Sequence, residues 1–162
     1  TIGAGVTIDT EDAEGVLFAH GGTAGGHSLF VKDRRLHYVY NWLGEKVQVV
    51  TSDGDVTTGK HLLTAEFQKT GDDEQTKSAT GTLTLYVDDE PVGKAEIMTQ
   101  PGFFALAGDG LSVGRDSASP VSQDYEAPFA FSGGAIDRVV VDVSGDHYVD
   151  HEKEILAYLA RD

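Results

Sequence analysis

Cysteine is absent from this sequence of 162 residues, and basic residues are scarce. Without thiols the chain has no disulfides, thiolate zinc sites, iron–sulfur clusters or cysteine nucleophile. Lysine and arginine number 12 against 27 acidic residues, a formal net charge of −15. Nucleic acids and anionic membrane surfaces are bound through basic side chains, so neither is an expected partner. No apolar run approaches the roughly 20 residues of a membrane-spanning helix, and we expect a soluble protein.

The residues that are present give the composition of an ordinary globular domain. Hydrophobic residues make up 40% and charged residues 24% of the sequence, and a chain of this length can enclose a proper core. No low-complexity linker divides it, so we predict one domain over residues 1–162. The sequence begins with Thr1 rather than Met, which we interpret as the start of a fragment cut from a larger chain. Composition does not indicate the compartment.

Short runs with a period of two residues dominate the chain, and Gly, Asp and Ser interrupt them. Alternation of this kind predicts β-strands. Leu36, Tyr38, Tyr40 and Trp42 fall on one face of such a strand. About ten strands separated by frequent turns indicate an all-β antiparallel sandwich over about 1–146. The predicted strands cover 2–8, 15–20, 27–32, 36–42, 46–51, 62–69, 82–87, 92–98, 111–114 and 136–143.

Only the tail of the sequence changes to a helical period. Asp150 is a suitable N-cap, and acidic residues follow it in the first turn. An apolar stripe then recurs at helical spacing, formed by Ile155, Leu156, Tyr158 and Leu159. We therefore predict a short C-terminal α-helix over 150–161. The stripe is suited to docking on this sandwich or on another domain, and the sequence does not choose between them.

No catalytic residue is predicted, because each familiar arrangement lacks a required part. There is no Gly-x-Ser-x-Gly sequence for a serine hydrolase. The glycine-rich stretch 21–26 lacks the Gly-Lys-Ser/Thr ending of a phosphate loop, and a strand follows it where a helix is needed. Glycoside hydrolysis needs two facing carboxylates, whereas Glu66 and Glu96 stand alone on their strands.

Metal sites are considered from the spacing of the histidines and acids. His147 and His151 are four residues apart, but the predicted helix begins too late to place both on it. His20 and His27 flank the glycine-rich stretch, and we interpret them as a cross-strand pair rather than metal ligands. Calcium is the more plausible ion, because sandwich rims hold it with carboxylates and backbone carbonyls. The calcium candidates are Asp109, Asp116 and Asp124.

A small set of residues is predicted to contact a ligand or a neighbouring domain. The stretch from Arg115 to Gly134 has no strand pattern, and irregular stretches of this length in compact domains are usually functional or disordered. Arg115 is one of few basic residues and is suited to a carboxylate or sulfate. Aromatic rings suited to stacking on sugars are Trp42, Tyr86, Phe103, Phe104 and Tyr125. Of these we select Trp42 and Tyr125, with Arg115, as the contact residues.

The order of several motifs resembles the concanavalin A-like and laminin-G-like jelly rolls. It runs from Gly15-Val16-Leu17-Phe18 through Leu85-Tyr86-Val87-Asp88 and Leu111-Ser112-Val113-Gly114 to Phe131-Ser132-Gly133-Gly134-Ala135-Ile136. Asp89 stands where that family usually has Gly. A closer resemblance is to the C-terminal region of long bacterial arylsulfatases. It is carried by GVLFAHGG at 15–22, GGHSLFVKDRRLHYVYNWLG at 25–44, TQPGFFALAGDGLSVGRD at 99–116 and VVVDVSG at 139–145.

The arylsulfatase resemblance implies a non-catalytic accessory domain. Sulfatases need a formylglycine made from Cys or Ser in a Cys/Ser-x-Pro-x-Arg motif, together with a divalent cation. This chain has no cysteine, and none of its four prolines follows a serine at that spacing. Both requirements would be met in an upstream catalytic domain of the same chain, which this domain would pack on or shape access to. The alternative is a carbohydrate-binding module, with carbohydrate as the partner.

Overall fold

The computed structural model describes residues 1–101, 110–117 and 119–144, and these form ten β-strands. The predicted helix over 150–161, Asp109, Phe103, Phe104, His147 and His151 lie outside the described residues. No helix long and apolar enough to cross a membrane occurs in the described part. The strands are β1 (Ile2–Ile8), β2 (Gly15–Gly22), β3 (Gly25–Lys32), β4 (Arg35–Trp42), β5 (Lys46–Thr51), β6 (Gly59–Asp72), β7 (Ala79–Val87), β8 (Glu90–Met98), β9 (Leu111–Val113) and β10 (Gly134–Val141).

The strands pair antiparallel in two five-stranded sheets, which confirms the predicted antiparallel β-sandwich. Sheet A has the order β10-β1-β6-β7-β8, and sheet B has the order β5-β4-β3-β2-β9. Consecutive strands β2 to β5 form a meander in sheet B, and β6 to β8 form one in sheet A. The first and last strands of the described chain are neighbours, with Ile2 opposite Val141.

The main hydrophobic core lies between the sheets, where the inward positions of alternating strands meet. Leu36, Tyr38 and Tyr40 of β4 are 0%, 5% and 6% exposed and belong to this core. The predicted facing of β4 is therefore confirmed. From sheet A, the alternate positions Ala4 and Val6 are buried in the same core. Buried residues alternate along these strands because each strand turns one face to the interior.

Strand β2 departs from simple alternation because it contains a bulge and is covered on both faces. Its pairing with β3 shifts register between Val16 and Phe18. Leu17 and Phe18 consequently both join the core between the sheets, while Val16 and Ala19 belong to a second cluster. A bulge inserts one extra residue and reverses the facing beyond it, which explains the unbroken apolar run in this part of the sequence.

The second cluster lies on the outer face of sheet B, under the irregular residues 115–133, here named the cover segment. Val121 and Tyr125 of the cover segment pack with Phe30 of β3 and Val39 of β4. Two isolated bridges, Glu14 to Ser132 and Val16 to Ala130, fasten the end of the segment to β2. The predicted irregular stretch is confirmed in the described residues, and it forms a third layer on the sandwich.

Two hairpin turns use aspartate and arginine where glycine is more usual. Asp33 and Arg34 join β3 to β4 with φ of 49° and 65°, and Asp88 and Asp89 join β7 to β8 with φ of 53° and 72°. Two successive positive φ values suit the right-handed twist of a two-residue hairpin. The turns predicted at both places are confirmed, including the one where Asp89 replaces the glycine of the resembled family.

Candidate functional site

Trp42 lies at the end of β4, on the inner side of sheet B. Its ring is half-buried against the main core, and its indole Nε1 donates a hydrogen bond to Ser78 Oγ at 3.1 Å. The donor of the ring is thus satisfied within the chain. What remains for a partner is the exposed part of the ring at the end of the strand.

Tyr125, selected from the sequence as a contact residue, is buried at 7% exposure. The ring packs edge-on against Phe30 and stacks on Phe129, with centroids 5.1 and 5.2 Å away. Its hydroxyl donates to Asp116 Oδ2 at 2.6 Å and lies 3.1 Å from Ser28 Oγ. Since a hydroxyl has one proton, Ser28 donates to Tyr125. Burial, followed by the hydrogen bond to Asp116, raises the pKa of the Tyr125 phenol.

The calcium candidates in the described residues are not brought together as a ligand set. Asp116 is 1% exposed, and its Oδ2 accepts bonds from the Tyr125 hydroxyl and the Val121 backbone N–H. Asp124 is exposed, and its carboxylate accepts a bond from Ser122 Oγ at 3.2 Å. No group of three or more histidines and acids that could hold a metal ion occurs among residues 1–101, 110–117 and 119–144. Asp109 lies outside these ranges.

Arg115 is exposed at the start of the cover segment, directly after β9 and next to the buried Asp116. Tyr125 lies on the outer side of sheet B and Trp42 on the inner side. The three residues selected from the sequence therefore do not share one surface. Asp116 and Tyr125 do meet, because the cover segment folds over the outer face of sheet B and brings them to Ser28.

The predicted cross-strand pair of His20 and His27 is confirmed. The two residues are directly opposite in the β2–β3 ladder, with ring centroids 5.8 Å apart. The ring of His27 also contacts Phe18, Tyr38 and Tyr40, and its Nδ1 lies 3.1 Å from the Tyr38 hydroxyl. Burial, then the proximity of His20, lowers the pKa of His27 to about 4. His27 is therefore neutral at physiological pH and packs as an aromatic core residue.

His61 forms a Thr–His–Asp arrangement that the sequence reading did not single out. Its Nδ1 lies 2.6 Å from Asp88 Oδ2, and its Nε2 lies 3.5 Å from Thr57 Oγ1. The same Nε2 is only 2.9 Å from the backbone carbonyl of Thr57. Both ring nitrogens thus face acceptor oxygens of the fold, the Asp88 carboxylate and the Thr57 carbonyl, and neither is directed at the Thr57 hydroxyl as a base. The arrangement anchors the β7–β8 turn to β6 rather than activating a nucleophile.

An acidic cleft of about 250 Å³ lies beside the β3–β4 turn. It is lined by Glu11, Asp12, Ala13, Glu14, Asp33 and Arg34. Arg34 lies 3.1 Å from Glu11 and 3.2 Å from Asp55, and all three side chains are substantially exposed. Exposed ion pairs of this kind contribute little stability. The cleft is therefore lined mainly by carboxylates, and the guanidinium of Arg34 neutralises part of their negative charge.

The outer face of sheet A carries the hydrogen-bonded pair of Tyr86 and Glu66 and, on a strand further across the sheet, Arg138. Tyr86 donates its hydroxyl to Glu66 Oε2 at 3.1 Å. Across the sheet, Arg138 of β10 pairs with Gly5 of β1, and its Cγ lies 3.4 Å from where a Cβ on Gly5 would stand. Thr64, opposite Tyr86 on β6, is only 7% exposed. Burial, then the hydrogen bond and charge of Glu66, raises the pKa of the Tyr86 phenol.

We name Tyr86, Glu66, Arg138 and Thr64 the sheet A face. Tyr86 was selected from the sequence as an aromatic candidate, but Arg138 was missed and Glu66 was considered only as an isolated acid. The signal that could have found Arg138 is the pair Gly3 and Gly5, whose lack of side chains leaves room for a long neighbour. Glu96 points to the same side of the sheet from β8, where its carboxylate accepts a bond from Thr82. Strand β7 separates it from Glu66.

Comparison with the models of known protein families finds no match, and no curated protein matches this chain.

Proposed function

We propose that this chain is a non-catalytic accessory β-sandwich domain of an arylsulfatase-type sulfuric ester hydrolase. It packs on an upstream catalytic domain of the same chain or shapes access to it. The support for the sulfatase assignment is the sequence resemblance over 15–22, 25–44, 99–116 and 139–145. The divalent cation and the formylglycine belong to the catalytic domain, since this chain has no Cys/Ser-x-Pro-x-Arg motif in which a formylglycine could form.

The accessory role is supported by the hydrogen-bond partners of the polar side chains, which lie within the fold. Asp116 and Tyr125 hold the cover segment on sheet B, His27 packs in the core, and His61 with Asp88 anchors a turn. Catalytic acids and bases need a substrate within hydrogen-bond reach and a matched pKa. These groups instead point at one another inside the fold, which favours a structural module over an independent enzyme.

We assign the sandwich to the jelly-roll type of the concanavalin A-like and laminin-G-like domains. The support is the strand order. The first and last described strands, β1 and β10, are neighbours in sheet A, whereas the β2–β5 meander belongs to sheet B together with β9. Exchange of the chain between two sheets in this manner is typical of jelly rolls. Trp42 and Arg115 are the contact residues we retain for the neighbouring domain, because both are accessible at least in part.

The test of this function is turnover of a chromogenic aryl sulfate by the parent enzyme with and without residues 1–162. We expect the truncated enzyme, if it remains folded by circular dichroism, to lose activity or melt at a lower temperature. Unchanged kinetics together with an unchanged melting temperature would reject the accessory role. Trp42→Ala and Arg115→Ala in the full enzyme then identify the contact, with Val49→Ala, at an exposed position elsewhere on sheet B, as the control.

A second candidate function is carbohydrate binding on the sheet A face. Tyr86 offers the flat ring on which sugars stack, Glu66 supplies a carboxylate bonded to its hydroxyl, and Arg138 adds a cation on the same sheet face, next to Gly5. The low exposure of Thr64 supports a shared, ordered surface. These are the features expected of a carbohydrate-binding module.

Glycan-array screening of the isolated chain tests this second function. We expect Tyr86→Ala to weaken binding of any captured glycan at least tenfold, whereas Tyr86→Phe keeps the ring and retains most of the affinity. Equal binding by both variants would place the sugar elsewhere. Absence of any captured glycan would leave the accessory role as the function.

A further inference from the structure

A small cleft of about 260 Å³ lies at the edge strand β8, next to the sheet A face. It is lined by Asp53, Thr84, Pro91, Gly93 and Lys94, and we name these five residues the β8 notch. Asp53 follows β5, Thr84 belongs to β7, and the other three belong to β8. Asp53 and Lys94 are exposed. The notch therefore has one charged group of each sign, both open to solvent, around a small space.

The notch forms where β8 carries a bulge. The pairing of β7 with β8 shifts register between Leu85 and Tyr86, which leaves Val92 as an extra residue on β8. The Val92 carbonyl accepts a hydrogen bond from the Asp53 N–H at 2.6 Å. Bulges bend a strand and redirect its side chains, and they are frequent at sheet edges and beside functional sites. This bulge fixes Asp53 against the edge of the sheet, where it forms one wall of the notch.

The turn that carries Asp53 is held in place from within the fold. The neighbouring Ser52 is 1% exposed, and its Oγ accepts a hydrogen bond from the Leu36 N–H at 3.1 Å. Gly93 allows the end of β5 to come close, because a Cβ there would lie 2.6 Å from the Thr51 carbonyl oxygen. A ligand does not have to order this wall when it binds, and preorganisation of this kind favours affinity.

Tyr86 of the sheet A face borders the notch. It is directly opposite Pro91, and paired residues on antiparallel strands share a face. Its hydroxyl has two hydrogen-bond partners, Glu66 and Thr84. Since the phenol proton goes to Glu66, Thr84 donates to the phenol oxygen. The rings of Tyr86 and Pro91 thus add an apolar side to a notch whose other walls are charged.

The two charges of the notch remain available to a ligand. Among the described residues, the ion pairs include neither Asp53 nor Lys94, so the two groups do not pair with each other. An ammonium group donates hydrogen bonds and a carboxylate accepts them, whereas a hydroxyl group does both. A ligand with several hydroxyl groups can therefore satisfy both walls without carrying a charge of its own.

We propose that the β8 notch binds a single uncharged sugar ring. Its hydroxyls donate to Asp53 and accept from Lys94, while its apolar face packs on Tyr86. This inference rests on the second candidate function, carbohydrate binding on the sheet A face, and it names the subsite and the class of sugar.

Size and charge both favour this ligand. The volume of about 260 Å³ is below the roughly 300–1,000 Å³ of sites for drug-sized ligands, so the notch suits one ring rather than an oligosaccharide. An acidic sugar is repelled by Asp53 and by the net charge of −15, and an amino sugar is repelled by Lys94.

The test is titration of the ¹⁵N-labelled chain with the methyl glycosides of glucose, galactose and mannose at millimolar concentrations, followed by NMR. We expect one of these sugars to shift the amide signals of Asp53, Thr84, Gly93 and Lys94 together. Asp53→Asn and Lys94→Gln should each weaken the affinity by about fivefold or more, because each removes a charge-assisted hydrogen bond.

Asp55→Asn and Lys60→Gln are the matched controls, since both residues are exposed and lie outside the notch. They should change the affinity by less than about twofold, because exposed charges at a distance are largely screened. Tighter binding of glucuronic acid or glucosamine than of any neutral sugar would overturn the class of ligand. Binding of longer glycans alone would overturn the single-ring site.

Two further outcomes separate this inference from the function on which it rests. Sugar binding that is lost in Tyr86→Ala but unchanged in Asp53→Asn and Lys94→Gln would overturn the β8 notch and leave carbohydrate binding on the sheet A face in place. Absence of binding by any sugar, in the titration and on the glycan array, would reject both. The accessory role is tested separately, by the activity of the parent enzyme.

Discussion

The hydroxyl of Tyr125 is the point at which the cover segment is held to sheet B. It donates to the buried Asp116 carboxylate and receives a bond from Ser28. A buried acceptor that loses its partner costs more than the hydrogen bond itself contributes, because it cannot turn to water. Asp116, at 1% exposure, therefore makes Tyr125 more important for stability than its ring packing alone would suggest.

We predict that Tyr125→Phe lowers the free energy of unfolding by about 1–3 kcal/mol. The ring contacts with Phe30 and Phe129 remain, so the loss isolates the hydroxyl. Tyr86→Phe is the matched control, since its hydroxyl serves a carboxylate on a half-exposed face, and it should cost less than about 1 kcal/mol. Urea unfolding of both variants measures the difference. Equal losses in the two variants would contradict the role given to Asp116.

His27 makes stability depend on pH in a defined window. The unfolded chain has a histidine pKa near 6.5, whereas burial lowers the pKa of His27 to about 4 in the folded chain. Below pH 6.5 the unfolded state binds the proton first, so stability falls until the pH reaches about 4, and the effect is absent above 6.5. The maximum loss is roughly 3 kcal/mol at 1.36 kcal/mol per pKa unit.

The measurement is urea unfolding at pH 7.5 and at pH 5. For each variant, the free energy of unfolding at pH 5 is compared with that of the same variant at pH 7.5. We expect His27→Gln to show a smaller loss between the two pH values than the unsubstituted chain. Val49→Ala, at an exposed position without a titratable group, should retain the full loss. An unchanged loss in His27→Gln would show that other groups cause the pH dependence.

At the scale of elements, local sequence pattern determined most of the strands but not their partners. Strands β1 and β5 have the predicted bounds, and β4 has the predicted facing, because one face of each carries the apolar positions. Strand β6 continues to Asp72 and β7 begins at Ala79, beyond the apolar runs, because the polar ends pair with each other. The residues of a single strand do not indicate which other strand they pair with, or how far that pairing extends.

The same limit explains why the candidate sites were found only in part. Tyr86 could be selected by its residue type and its strand position. Its place on one sheet face with Arg138 depends on β10 returning to lie beside β1, and the meeting of Tyr125 with Ser28 depends on the cover segment crossing sheet B. Both are long-range consequences of topology rather than properties of any short stretch.

Gly15 shows how one position fixes the junction between β2 and the cover segment. It has φ of +125°, and a Cβ there would lie 2.4 Å from the Phe131 Cα and 2.6 Å from the Ala130 carbonyl oxygen. Both contacts are with backbone, so the end of the cover segment would have to move. We predict that Gly15→Ala destabilises the fold by more than about 2 kcal/mol.

Gly54→Ala is the matched control, because nothing lies within 4 Å of its would-be Cβ. At such an open position we expect a change of less than about 1 kcal/mol, in either direction. Thermal unfolding of the two variants gives the comparison. A Gly15→Ala variant as stable as Gly54→Ala would mean that residues 130–131 are not held against β2 in solution.

At the scale of the whole molecule, the excess of acidic residues destabilises the folded state through electrostatic repulsion. A net charge of −15 on 162 residues repels itself more strongly in the compact state than in the unfolded one. Salt screens this repulsion, since the Debye length falls from about 30 Å at 0.01 M to about 8 Å at 0.15 M. We therefore expect stability to rise with ionic strength over this range.

We predict that raising NaCl from about 10 mM to about 150 mM increases the melting temperature by a few degrees, through screening alone. Magnesium and calcium chloride at matched ionic strength separate this general effect from a bound ion. A larger increase with calcium than with magnesium would indicate a specific site, and its loss in Asp109→Asn or Asp124→Asn would place that site at the carboxylates selected from the sequence. A melting temperature that falls with added NaCl would contradict the view that repulsion between acids dominates, and would mean that attractive pairs such as Arg34 with Glu11 and Asp55 outweigh it.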